Sequence, residues 1–309
     1  TLQDLALLGM TQATPDTLAN IQAAIADGTA SYAPINSVTD LSAAVTAGLN
    51  AYTNALGVIR DYAQNNSGTP PALSTFTQAN VSGVDSNNLA FVQQALAGAA
   101  LTGADADTTA EIQALVSAVN ALRSSLDGDG RDNDMALTSA QVGALGLGSI
   151  DTASKLGLLN DVLDGRSSAQ VSSYADLTAL VSTVSDIMLT ALGSSPAAAL
   201  TVDRLTALGL SNISDNYLAA ILERIEATAN DGSGVDTVAK LQAIVDAAAS
   251  TYNNALGVIS AYTGSNTAPT LQDYLNAEVA GVSSAELAQL NTFIAQLPSA
   301  STDSSTEVQ

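Results

Sequence analysis

The 309-residue chain sets 8 Lys and Arg against 30 Asp and Glu, for a net charge of -22, and contains no Cys, His or Trp. Without Cys there are no disulfides, thiolate metal sites or cysteine nucleophile. Without His there is no Ser-His-Asp triad, and the commonest acid–base side chain near neutral pH is missing. Eight scattered cations cannot neutralise a phosphate backbone, so no nucleic-acid partner is expected. No enzymatic activity or organic cofactor is expected either.

Apolar residues make up 47% of the chain but aromatics only 4%, a composition suited to thin helices sealed by Ala, Leu, Val and Ile. No apolar run reaches the roughly 18 residues of a membrane span, so no membrane insertion is expected. Thr1-Leu2-Gln3-Asp4 shows no signal-peptide pattern. Lacking an initiator Met, the chain reads as a piece of something longer or a processed form.

Three landmarks recur along the chain in fixed order. The first repeat, residues 1–70, opens with a short helix ending at Leu8-Gly9-Met10. This pattern asks for a left-handed Gly followed by a hydrophobe folded back on the last turn. Ala13-Thr14-Pro15, with Leu18 four residues past the cap, predicts a second helix closed by a hydrophobic staple. Ser37-Val38-Thr39-Asp40-Leu41 then opens a longer helix, with Leu41, Val45, Leu49, Tyr52, Leu56 and Ile59 as its buried stripe.

The second repeat, 71–135, carries Asn80-Val81 at the first landmark, Val84-Asp85 with Leu89 at the second, and Asp107 to Ile112 at the third. Its closing loop holds Asp127, Asp129, Asp132 and Asp134, whose oxygens suit calcium. Read as an EF-hand, however, the loop places Arg131 and Thr138 at two essential ligand positions, so a solvated turn is the competing reading. If calcium binds, it should raise the melting temperature.

The third repeat, 136–197, shows Leu145-Gly146-Leu147, Ile150-Asp151 with one extra residue, Lys155, before Leu156, and Ser173 to Leu177. The fourth, 198–269, shows Leu208-Gly209-Leu210, Ile213-Ser214 with Leu218, and a long helix from Asp236. The stripe of that helix includes Leu241, Ile244, Val245, Ala248, Tyr252, Ala255, Leu256 and Ile259. Glu223 and Glu226 imitate an acid/base pair but are expected on a solvated face, and Tyr52 and Tyr252 are expected in the core.

In the fifth repeat, 270–309, Glu278 replaces the capping Gly before Val279, which should weaken that cap. Val282-Ser283 with Glu286 and Leu287 follows, and Asp303 to Val308 begins the long element. The final ten residues are expected to lack fixed structure. Thr270-Leu271-Gln272-Asp273 repeats residues 1–4, and the octapeptide 252–259 nearly repeats 52–59. Leucines 18, 89, 156, 218 and 287 are spaced 71, 67, 62 and 69 residues apart. The expected fold class is all-α: tandem three-helix modules of about 67 residues forming an elongated helical array.

The cadences 207–221, 235–247 and 107–116 resemble the tandem Ala/Thr/Asp-rich helical repeats of large secreted bacterial surface proteins, adhesins and biofilm-matrix components, which are similar to GA-like three-helix modules. The resemblance implies an extracellular, non-enzymatic stalk or spacer whose partners are flanking repeats or other copies of itself. Two alternatives stand beside it. In one, the chain is a filament subunit joined end to end through Leu287, Leu290, Phe293 and Ile294, left partly uncovered by the short fifth repeat. In the other, it is a GA-type module that docks a host protein or surface target.

Overall fold

The computed structural model describes residues 1–30, 35–98, 100–128 and 136–309, whose regular structure is helical. Among the described residues there is no β-strand, only an isolated antiparallel bridge between Asp127 and Ser167. In chain order the helices are α1 (Leu2–Leu7), α2 (Pro15–Ala30), α3 (Val38–Asn65), α4 (Leu73–Gln78), α5 (Leu89–Leu96) and α6 (Thr109–Ser125). There follow α7 (Ser139–Ala144), α8 (Ala153–Asp164), α9 (Tyr174–Ala191), α10 (Val202–Thr206), α11 (Leu218–Glu226) and α12 (Val238–Ser260). The last are α13 (Leu271–Asn276), α14 (Leu287–Ile294) and α15 (Ser305–Val308), with single 3-10 turns at Gly103–Asp105, Asp215–Tyr217 and Ser299–Ser301.

The short helices end as their sequences require. Gly9, Gly146 and Gly209 have φ of 82°, 72° and 95°, conformations that cost an L side chain roughly 1–2 kcal/mol. The residue after each, Met10, Leu147 or Leu210, is buried. Met10 N–H donates to Leu5 O at 2.9 Å and Leu147 N–H to Val142 O at 3.0 Å, closing the last turn. Asn80, at φ 56°, fills the same slot in the second repeat, and its side-chain amide donates to Asp16 O.

Glu278 departs from expectation. It adopts the capping conformation at φ 55°, and Val279 N–H still reaches Tyr274 O at 3.0 Å. The cap geometry survives because Val279 is buried, and the strain is carried by Glu278 itself.

In the first, second, fourth and fifth repeats the third element starts within the predicted segment, with the cap one residue past Asp107, Asp236 and Asp303 in the last three. Ser37, Thr108, Thr237 and Ser304 are N-caps whose side chains accept from Asp40, Glu111, Lys240 and Glu307 N–H. The middle helices of the second, fourth and fifth repeats begin later than the caps Asp85, Ser214 and Ser283 imply. A turn intervenes, and α5, α11 and α14 start at Leu89, Leu218 and Leu287. Asp85 still acts as a cap, its carboxylate accepting from both Asn87 and Asn88 N–H, and after Ser214 the intervening turn is the 3-10 segment Asp215–Tyr217. In the third repeat the capping hydroxyl belongs to Thr152, one residue past Asp151.

Leu5 and Met10 from the α1 region, Ile21 of α2 and Val45 of α3 share one core cluster, with Ala13, Leu18, Ile25, Leu41 and Leu49 packed against it. α2 and α3 form the most extensive helix pair, and Gly48 permits it. A Cβ there would lie 2.6 Å from Ile21 Cα and N. Packing continues past the polar linkers: α3 packs on α2 and on α4, α6 on α5 and α7, and α12 on α11 and α13. The chain divides into two compact units, residues 1–151 with 163–178 and residues 152–162 with 179–309.

Candidate functional site: joints between successive helices

Polar side chains, some exposed and some buried, tie the helices and their caps together, and three devices recur. The first uses a tyrosine of a long helix. Tyr52 OH lies 3.0 Å from Thr109 Oγ1, the first residue of α6, and Thr109 Oγ1 donates to Ala79 O at the end of α4 at 2.7 Å. Tyr252 OH lies 3.1 Å from Ser305 Oγ, the first residue of α15. Both tyrosines come from the repeated octapeptide. Tyr252 is buried and Tyr52 half-buried, so each is a core residue with its hydroxyl at the edge. At the position of Thr109 and Ser305, the third repeat has Tyr174 as the first residue of α9; it donates its hydroxyl to Leu145 O at 2.6 Å, and burial raises its pKa.

The second device is a bidentate glutamine lock. Gln113 Oε1 accepts from Ser82 N–H at 2.8 Å while its Nε2 donates to Ser82 O at 3.1 Å. Gln242 holds Ser211 at 2.9 and 3.1 Å, and Gln309 holds Ala280 at 2.8 and 3.1 Å. In each case one amide satisfies both backbone groups of a residue just past a short-helix cap. This lock escapes sequence reasoning by periodicity. The signal was there in Glu111-Ile112-Gln113, Lys240-Leu241-Gln242 and Glu307-Val308-Gln309, which place Gln directly after a buried stripe residue. The lock also corrects the expectation for the final ten residues: Gln309 is tied to Ala280, Ser305 lies beside Tyr252, and Val308 is buried.

The third device holds the linkers. Gln93 Nε2 donates to Pro71 O and Asn291 Nδ2 to Pro269 O, each at 2.8 Å. Asn291 also accepts from Tyr274 OH at 2.6 Å. Burial is the main cause that pushes the Tyr274 hydroxyl up to about 12, so it remains a donor across the physiological range. Where the third repeat passes into the fourth, a charged clasp tethers the loop before α10. Asp186, 1% exposed, accepts from Arg204 Nη2 at 2.6 Å and from Ala197 N–H at 2.7 Å. Arg204 Nη1 donates to Ala198 O and Ala199 O.

The predicted site residues fare differently. Asp129, Asp132 and Asp134 lie outside the described residues. Asp127 is exposed and forms the bridge with Ser167. Among the described residues no cluster of three His, Cys, Asp or Glu side chains suits a metal ion, and no helix is long and apolar enough to cross a membrane. Glu223 and Glu226 are exposed, as expected.

Of the four apolar interface candidates, Phe293 is 60% exposed, while Leu287 and Leu290 are half-buried. Ile294 is corrected: at 2% exposure it is buried in its own chain. It lies three residues after the buried Asn291, on the α14 face turned toward Tyr274, whereas Phe293 points away. Leu287 lines a cleft of about 490 Å³ together with Tyr262, Pro269 and Asn291. Leu290 lines a cleft of about 290 Å³ with Val279, Val282 and Val308.

Compared with known proteins, the chain matches no family profile, no curated protein and no solved structure.

Proposed function

We propose that this chain is a non-enzymatic structural segment of a bacterial extracellular surface protein, a stalk or spacer in which successive helical repeats are fastened to one another. The supporting observation is the tyrosine joint, Tyr52 to Thr109 and Tyr252 to Ser305, which ties a long helix to the repeat after it, while the glutamine lock at Gln113, Gln242 and Gln309 closes each of three repeats on itself. These side chains spend their hydrogen-bonding capacity on the backbone or on a neighbouring helix start, which suits load-bearing connections and leaves little for a substrate. A chain without Cys also suits export in an unfolded state, and a charge of -22 keeps a long repeat array soluble. The test is antibody labelling of intact source cells with and without protease shaving. Surface signal that shaving removes is expected, whereas signal only after cell lysis overturns the location and with it the stalk role.

A second reading, end-to-end filament assembly, is favoured by the exposed Phe293 beside the half-buried Leu287 and Leu290. Light scattering decides it: a concentration-dependent rise in mass that Phe293→Asp abolishes supports assembly, and a monomer at high concentration refutes it.

A further inference from the structure

The repeats allow each position to be compared with its counterparts, and one surface stands out. In the second to fifth repeats the residue closing the short helix, Ala79, Leu145, Leu208 or Ala277, is at most 1% exposed. Its counterpart in the first repeat, Leu8, is 48% exposed. Thr109, whose hydroxyl touches Ala79 O, corresponds to Val38, which is 58% exposed. The backbone agrees. A Cβ at Gly146 would meet Leu101 and Ala100 within 3.1 to 3.3 Å, whereas a Cβ at Gly9 would meet nothing within 4 Å. Yet α1 is formed and capped like α7 and α13, with a complete Thr1–Asp4 capping box.

What covers the equivalent surface elsewhere is visible within the chain. α4 is packed by α3, α7 by α6 and α13 by α12, in each case the long helix of the repeat before it. In α3 and α12 the half that reaches forward carries the octapeptide. Ala55, Ile59 and Ala63 of α3 are buried there, as are Tyr252, Ala255, Leu256 and Ile259 of α12. This explains why residues 52–59 and 252–259 are the closest internal match: they belong to the two longest helices, and each makes the same forward contact.

From this equivalence we infer that the outer face of α1, with Leu8 and Val38, is an open socket for the distal half of a long helix bearing the Tyr-x-x-Ala-Leu-Gly-Val-Ile pattern, supplied by another repeat of this same kind. The socket differs from the internal ones in one respect. Val38 replaces the hydroxyl that receives Tyr52 at Thr109, so the seat is held by apolar contact and lacks that hydrogen bond. The inference rests on the stalk reading only for the idea of repeats in series, and its test is independent of where the protein resides.

Because the chain has no cysteine, L8C supplies a unique thiol whose maleimide reactivity reports the socket. Residues 198–269 are fused ahead of residue 1, so that Pro269 is followed by Thr1-Leu2-Gln3-Asp4 just as it is natively followed by Thr270-Leu271-Gln272-Asp273. A second fusion uses residues 1–71 in the same way, with the added Leu8 left unchanged. The thiol in the fusions should react slower by on the order of tenfold, because labelling then requires local opening. Ile259→Asp, or Ile59→Asp in the second fusion, made only in the added repeat, should restore the rate. An F293C thiol, exposed in both contexts, should react equally in fused and unfused chains. Equal L8C reactivity with and without the added repeat overturns the inference. So does protection of the unfused chain that grows with its concentration, which would make a second copy the occupant.

Discussion

Gly48 lies inside α3 where the helix crosses α2, and a Cβ placed on it would sit 2.6 Å from Ile21 Cα and N and 2.8 Å from Asn20 C. All three are backbone atoms, so no side-chain rotation can relieve the contact and Gly48→Ala must push two helices apart. Gly57 lies two and a half turns further along α3, and a Cβ there meets nothing within 4 Å. Both substitutions gain about 1 kcal/mol of helix propensity, and only the first adds an overpacking cost of roughly 1–3 kcal/mol. The shared propensity gain cancels in the comparison, so the difference between the variants measures the clash alone. For a unit of this size, about 2–4 °C per kcal/mol separates their melting temperatures by roughly 2–12 °C, with Gly57→Ala above the parent. Far-UV circular dichroism during heating, repeated in urea, provides the assay. Gly257→Ala, equally open in α12, should rise like Gly57→Ala. If Gly48→Ala melts together with Gly57→Ala, the close crossing of α2 and α3 is wrong.

Glu278→Gly should stabilise the second unit by about 1 kcal/mol, the cost of holding a non-glycine residue in the left-handed conformation, and thermal melts check this. Burial, and then the charge of Glu223, raises the Glu278 pKa. Its ionised form therefore costs stability above the raised folded value, and that cost vanishes below the ordinary value, so Glu278→Gln should help at neutral pH and do nothing in acid. Arg204→Ala strips Asp186 of its ion pair in a site 1% exposed and should cost on the order of 3 kcal/mol; a loss below 1 kcal/mol by urea denaturation would refute the clasp. Hydrogen bonds at helix N-termini lower the carboxyl pKa of Asp4, Asp40, Glu111 and Asp176. The stabilisation they confer is full above the ordinary carboxylate value and is lost as pH falls through the lowered folded value. In a carbon-detected NMR titration, these four groups should therefore titrate below their ordinary values and Glu278 above its own.

Much of this protein is local, and what is local is legible in residue order. Ser37, and the segments opening at Asp107 and Asp303, announce helix starts because the capping bond spans only three residues. Gly9, Gly146 and Gly209 announce helix ends because only the backbone of that residue and one following hydrophobe are involved. The all-helical class follows from the same short-range physics, as does the register of the stripes on α3 and α12. The delayed starts of α5, α11 and α14 mark the limit of local reading: a turn separates each cap from its helix.

The tertiary structure decided everything that depends on a partner far along the chain. Gln113 and Ser82 stand 31 residues apart, and Tyr52 and Thr109 stand 57 apart; no periodicity links them. The apolar positions of α14 look alike in sequence, but the structure buries Ile294 and exposes Phe293 because only one face meets Tyr274. Leu8 carries the plainest lesson. Its sequence context matches that of Leu145 and Leu208, and its exposure differs from theirs because burial belongs to the neighbour that packs against a residue and is not encoded at the residue itself.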